Sequence, residues 1–151
     1  MSKAHVVFAT ITGNNEDVAD IVTEGLEDQG LEVIQSEISQ TEPEELLDAD
    51  IIVFCIYTYN EGHLPEEGED FYNDMQELDL SSQIYGVAGS GDVFYEEFYN
   101  TAVDDFSNAL KKAGAIKGSN EIKINLEPDQ EDIEKLDEMT ANLAKALTTK
   151  R

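Results

Sequence analysis

A chain of 151 residues, 40% hydrophobic and 28% charged, has the size and make-up of one folded domain and is not a disordered acidic tail. Its 34 Asp and Glu against nine Lys and Arg give a formal charge of -25, which repels nucleic acid and anionic membranes and favours basic protein partners. There is no apolar run of the roughly 20 residues a membrane helix needs, no signal-peptide pattern in Met1-Ser2-Lys3-Ala4-His5, and only Cys55 for disulfide chemistry, so a cytoplasmic monomer is expected.

Val6 to Ala9 reads as a buried strand. Asn14 to Gln29 reads as a helix with Val18, Ile21, Val22, Gly25 and Leu26 on its inner face, stopped by Gly30. Leu31 to Ile34 is a second strand, and Thr41 to Leu47 a short helical stretch with Pro43 in its first turn. Ile51 to Ile56 is the most apolar run and predicts a central strand covered on both faces. The next helix buries Phe71, Met75 and Leu78, and Ile84 to Ala88 is the fourth strand. A further helix buries Phe98, Ala102, Val103, Phe106 and Leu110, with Gly114 as its cap. Ile122 to Leu126 is the fifth strand. The last helix, Asp129 to about Thr148, buries Ile133, Leu136, Leu143 and Leu147. Five strands alternating with helices predict an α/β fold, a parallel sheet with helices on both faces, in one domain spanning residues 1–151.

Three polar loops follow strands one, three and four, so they leave from the edge where open α/β sheets bind ligands. Thr10-Ile11-Thr12-Gly13-Asn14-Asn15 offers hydroxyls, amides and main-chain N–H groups at a helix N-terminus, with no Lys or Arg. A helix cap needs one such residue, and four in six positions suit a terminal phosphate. Neither the Walker spacing nor the dinucleotide Gly pattern is present. The second and third loops each carry an aromatic, Tyr59 and Tyr95, able to form two walls on a planar ring. Gly62, Gly89 and Gly91 would let the backbone approach its edge.

Thr10 to Asn15, Tyr57-Thr58-Tyr59-Asn60-Glu61-Gly62 and Gly89-Ser90-Gly91-Asp92-Val93-Phe94-Tyr95, in this order, together resemble flavodoxin of the bacterial short-chain type, over the whole chain. The resemblance implies a three-layer fold with strand order 2-1-3-4-5 and a non-covalent FMN that carries single electrons at low potential between redox proteins. It also implies the cofactor residues. Thr10, Ile11, Thr12, Gly13, Asn14 and Asn15 would hold the phosphate. Tyr59 and Tyr95 would sandwich the ring, with Tyr57, Thr58, Asn60, Glu61, Gly62, Ser90, Gly91, Asp92 and Phe98 around it. Carboxylates beside a reduced, anionic flavin disfavour the fully reduced state, so the second electron leaves at low potential. Basic-surfaced reductases and oxidoreductases docking near the flavin edge are the implied partners.

Asn15 stands where the family usually has Thr, Tyr59 where Trp is commoner, Glu61 where Asp is usual, and Asn60 where Gly is usual. Family members flip the peptide after that last position on reduction, and Asn adopts positive φ at a cost of about 1 kcal/mol. His63, among Glu61, Glu66 and Glu67, reads as an exposed loop residue whose protonation near neutral pH could couple to the flavin. Cys55 reads as an inert core thiol.

Three rivals fit less well. A phospho-acceptor receiver domain needs acids after strand one and an Asp ending strand three, where Ala9-Thr10 and Cys55-Ile56-Tyr57 stand. A calcium site would need an Asp-x-Asp-x-Asp-Gly loop, which is absent. An FMN-dependent reductase with its own small-molecule substrate is the alternative function; short loops and the lack of a basic nicotinamide-phosphate site argue against it.

Overall fold

A computed structural model describes residues 2–9, 14–57, 66–91, 101–125 and 128–150. The elements run β1 (Lys3–Phe8), α1 (Asn14–Asp28), β2 (Glu32–Glu37), two 3-10 turns (Ile38–Gln40 and Pro43–Asp48), β3 (Ile51–Tyr57), α2 (Glu66–Met75), β4 (Ile84–Gly91), α3 (Thr101–Lys112), β5 (Ile116–Lys117), β6 (Ile122–Asn125) and α4 (Gln130–Lys150). All pairings are parallel in the order β2-β1-β3-β4, and both β5 and β6 pair with β4. This is the 2-1-3-4-5 arrangement, with its fifth place shared by two segments.

Side chains alternate across the sheet, so β3 feeds two cores at once. Ile52, Phe54 and Ile56 join Phe71 and Met75 of α2 and Val103, Phe106 and Leu110 of α3. Ile51, Val53 and Cys55 join Val18, Val22 and Leu26 of α1 and Leu136, Leu143 and Leu147 of α4. Phe54 anchors the first layer, with ring centroids 5.7 Å from Phe71 and 5.0 Å from Phe106.

Helix ends follow local chemistry. Gly30 (φ 87°) and Gly114 (φ 93°) take the left-handed conformation that ends α1 and α3, and each donates its N–H to a carbonyl three residues back. Pro43 opens its 3-10 turn, where Glu42 and Glu45 form a reciprocal capping box. Gly25 permits the α1–α4 crossing, because a Cβ there would lie 2.6 Å from Thr140 Oγ1.

Several boundaries differ from the sequence reading. β2 runs on to Glu37 because its polar residues have partners: Gln35 accepts from Thr23 and donates to Asp20, and Ser36 lies 2.8 Å from His5 Nε2. β4 extends through Ser90 and Gly91, and β3 through Tyr57, because Tyr57 pairs with Ser90 and Gly91 with Asn125. The fifth strand begins earlier and is interrupted. Tyr85 pairs with Lys117 and Ala88 with Ile122, so three steps along β4 face five along the edge, and two residues are extruded between β5 and β6. In α4, Ile133 is half-buried and Met139 takes the buried place. Leu78 lies past the end of α2 yet still packs on that core. Phe98 and Leu126 lie outside the described residues, as does His63.

Candidate functional site

β1, β3 and β4 are neighbouring parallel strands, so their C-terminal ends share one edge. The register holds them level: Phe8 pairs with Cys55, Cys55 with Ala88 and Tyr57 with Ser90. From β1 the chain crosses outward to β2, and from β3 it crosses the other way to β4, so the strand order reverses between β1 and β3. Crevices at such reversals are the ligand sites of open α/β sheets. Ala9 donates a 3.0 Å hydrogen bond to the Cys55 carbonyl, fixing the point where the chain leaves β1 for α1.

α1 starts at Asn14, six residues after Phe8 at the end of β1, so its N-terminus opens at this edge. The first turn of a helix leaves N–H groups unpaired within the helix and carries the positive end of its dipole. Asn14 and Asn15 are thus placed in that turn, Tyr57 at the end of β3, and Ser90 and Gly91 at the end of β4. Thr10, Ile11, Thr12, Gly13, Thr58, Tyr59, Asn60, Glu61, Gly62, Asp92, Tyr95 and Phe98 lie outside the described residues. The described ends that flank them converge on the one edge.

Gly89 has a packing role at this edge. It is fully buried, and a Cβ there would collide with the Ile56 carbonyl and come within 2.6 Å of Val103 Cγ2. Its missing side chain lets β4 close on β3 and α3 beneath the edge. Cys55 is buried next to it in the sheet, and burial pushes its thiol well above the ordinary range, so it is an unreactive core group.

Carboxylates dominate the electrostatics of the edge. Between Lys3 and Lys111 the sequence has no Lys or Arg at all, and residues 1–110 hold 26 of the 34 carboxylates. Among the described residues, Lys123 on β6 stands near the edge and is held 2.7 Å from Asp104 of α3. Asp105 has its carboxyl pushed up, first by burial and then by the adjacent Asp104. Tyr72 is raised by burial and by Asp105 as well.

One polar chain escaped the sequence reading. Tyr85 Oη lies 3.2 Å from Ser107 Oγ, Ser107 donates to Glu121 at 2.5 Å, and Lys117 Nζ sits 3.1 Å from the same carboxylate. It ties α3 to the stretch between β5 and β6. Burial opposes ionisation of Glu121, but the bonds from Ser107 and Lys117 outweigh it and hold the carboxyl below its usual value. Ser107 is a polar residue on an otherwise apolar helix face, and that was the available signal.

A doubly wound parallel sheet, with a helix N-terminus at its reversal point and a rim rich in carboxylates, is the frame of an α/β domain that binds a ligand at that edge. The flavodoxin family pattern matches residues 6–138, and the chain belongs to the flavodoxin family. It is 36% identical to the probable flavodoxin 2 of Bacillus subtilis (strain 168) over 137 residues, 90% of each chain. A solved short-chain flavodoxin associated with a non-canonical PDU bacterial microcompartment shares 54% identity, with a TM-score of 0.96 over 97% of this chain and 99% of that one. The chain is also 30% identical over 117 residues to the NADPH--cytochrome P450 reductase of Cavia porcellus, spanning 17% of that enzyme. The family places FMN as the cofactor and electron transport as the role. The frame fits that group, since the α1 N-terminus offers main-chain N–H donors to a phosphate without calling on a cation.

Proposed function

We propose that this chain is one domain, acting as a low-potential, one-electron carrier that shuttles between redox enzymes and turns over no substrate of its own. The observation that carries the reading is the absence of any Lys or Arg from residue 4 to residue 110, the stretch that holds all three loops of the edge. Bound FMN supplies the redox chemistry; the protein supplies its seat and its field. The phosphate is assigned to Thr10, Ile11, Thr12, Gly13, Asn14 and Asn15 with the α1 N-terminus behind them. Tyr59 and Tyr95 are assigned to the ring faces, and Tyr57, Thr58, Asn60, Glu61, Gly62, Ser90, Gly91, Asp92 and Phe98 to its surroundings. With the described cation near the edge, Lys123, already held by Asp104, added electron density meets an excess of carboxylates, which lowers the potential.

The same charge selects partners. Basic-surfaced reductases and oxidoreductases would be drawn to the acidic edge, and long-range repulsion between copies favours a monomer. A cytoplasmic setting suits the single buried thiol. Among the described residues, no helix is long and apolar enough to cross a membrane.

The test mixes the FMN-loaded chain anaerobically with NADPH, alone and with a catalytic amount of a basic-surfaced NADPH-dependent flavoprotein reductase. NADPH alone should leave the flavin oxidised. The reductase should reduce it at a rate that falls steeply with salt. Rapid reduction by NADPH alone would favour the rival reading of a reductase with its own substrate site.

A further inference from the structure

A relay of hydrogen bonds fixes the protonation of His5. Thr41 Oγ1 donates to the Glu37 carbonyl at 2.7 Å, which spends its one proton. At its 2.6 Å contact with Ser36 Oγ, Thr41 therefore accepts and Ser36 donates. Ser36 has no second proton, so at 2.8 Å it is His5 Nε2–H that donates to Ser36 Oγ. The neutral ring is thereby held with its proton on Nε2 and a bare lone pair on Nδ1. Burial lowers the His5 pKa, which keeps the ring neutral at neutral pH.

His5 is only 4% exposed, yet Nδ1 has no hydrogen bond among the described residues. Nor is it one of the buried unpaired atoms, of which Gln83 Oε1 is the described case. It therefore opens on the cavity of about 260 Å³ that His5 lines with Lys3, Ile34, Glu45, Asp48 and Ala49. Ile34 and Ala49 supply apolar wall, and Glu45 and Asp48 supply carboxylates from the second 3-10 turn. Glu45 is close enough for its charge to act on the ring, but among the described residues no ion pair joins the two. A donor placed between them would satisfy both.

We propose that this cavity binds an alkylammonium ion, whose N–H groups donate to His5 Nδ1 and to the Glu45 and Asp48 carboxylates while its carbons lie on Ile34 and Ala49. Other occupants meet a mismatch. An anion would face two carboxylates and a lone pair. Among the described residues, no group of three or more His, Cys, Asp or Glu side chains could hold a metal ion. The volume is below that of a drug-sized pocket and suits a stem of a few carbons. Lys3 is exposed and also lines the cavity, so its like charge weakens the binding. A free amine and the lysine side chain of a partner protein carry the same group, and the test separates them.

The cavity lies beside the first half of β1 and β2, where His5 pairs with Ile34, whereas the candidate site lies at the C-terminal ends of β1, β3 and β4. An ammonium there would brace the second 3-10 turn against β1 and β2 and leave the redox edge open. Binding at this place does not depend on the redox reading.

The test titrates the isotope-labelled, FMN-loaded full chain with propylammonium chloride at neutral pH, followed by imidazole nitrogen and backbone amide resonances. Before addition, His5 should show a protonated Nε2 and a bare Nδ1. Addition should move Nδ1 saturably toward its hydrogen-bonded position, together with the amides of His5, Ile34, Asp48 and Ala49. Glu45→Gln keeps an oxygen for the Glu42 N–H and should weaken binding about tenfold, the loss expected for a hydrogen bond to a charged group. Lys3→Gln should tighten it. Tetramethylammonium, with the same charge and no N–H, should bind far more weakly, a comparison that needs no variant. Tighter binding of propylammonium than of Nα-acetyl-lysine amide assigns the site to free amines, and the reverse order to a partner's lysine side chain. A neutral ring protonated on Nδ1, no saturation, equal binding of tetramethylammonium, or unaltered affinity in Glu45→Gln would each overturn the proposal.

Discussion

Ser107 of α3 donates a 2.5 Å hydrogen bond to Glu121, the residue that leads into β6. The bond is long-range in sequence and closes the gap left where two residues are extruded from the fifth strand. With Tyr85 behind Ser107 and Lys117 on the other carboxylate contact, one acid organises three elements.

Glu121→Gln should therefore cost about 1.5–3 kcal/mol of stability at neutral pH, the range for hydrogen bonds to a charged group. Because the folded carboxyl is held below its usual value, its contribution is present above the unfolded carboxylate range and is lost as pH falls through the folded value. Urea denaturation of both proteins across the acid range checks this. The variant should lose part of the wild-type's acid sensitivity, and parallel curves would refute the assignment.

His5 gives a second pH signature, of a different kind. It is buried on β1, 2.8 Å from Ser36, and burial lowers its pKa while Glu45 opposes that to a smaller extent. A depressed histidine leaves the unfolded chain the better proton binder, so stability is full above about pH 6.5 and falls as pH drops from there toward the folded value. His5→Gln should flatten that limb in thermal melts. An unchanged slope would place the effect on other groups.

Gly89→Ala forces a methyl group against the Ile56 carbonyl and Val103. Overpacking of this kind costs about 1–3 kcal/mol. Since the displaced strand end is the one carrying Ser90 and Gly91, FMN affinity should fall with stability. Fluorescence of released FMN, set beside denaturation of the cofactor-free chain, separates the two effects. Retention of FMN at wild-type affinity would mean that β4 does not shape the site.

Asn60→Gly should increase the yield of one-electron-reduced flavin in an anaerobic titration, because Gly adopts positive φ without the cost of about 1 kcal/mol that Asn carries. The flavin's visible spectrum during reduction reports it. No gain would show that Asn60 imposes no barrier.

The sequence made the helices and central strand legible because burial writes a period: Val18, Val22 and Leu26 at helical spacing, and Ile51 to Ile56 as an unbroken run between two layers. β2 was read short because Gln35 and Ser36 look like loop residues until their partners on α1 and β1 are placed. Two residues of β5 carry no period; their strand character comes from pairing with Ile84 and Tyr85. The packing role of Gly89 was not legible, because a glycine in a sequence shows only that space is needed, and its contacts with Ile56 and Val103 appear only in the fold. For the site, the frame was legible from where polar loops follow strands.

The most direct test of the carrier reading is anaerobic spectroelectrochemistry of the FMN-loaded chain. Two separated one-electron steps are predicted, the second well below that of free FMN and shifting upward when acidic residues of the edge, Asp92 first, are neutralised. A single two-electron wave at the potential of free FMN, unmoved by Asp92→Asn, would contradict the account.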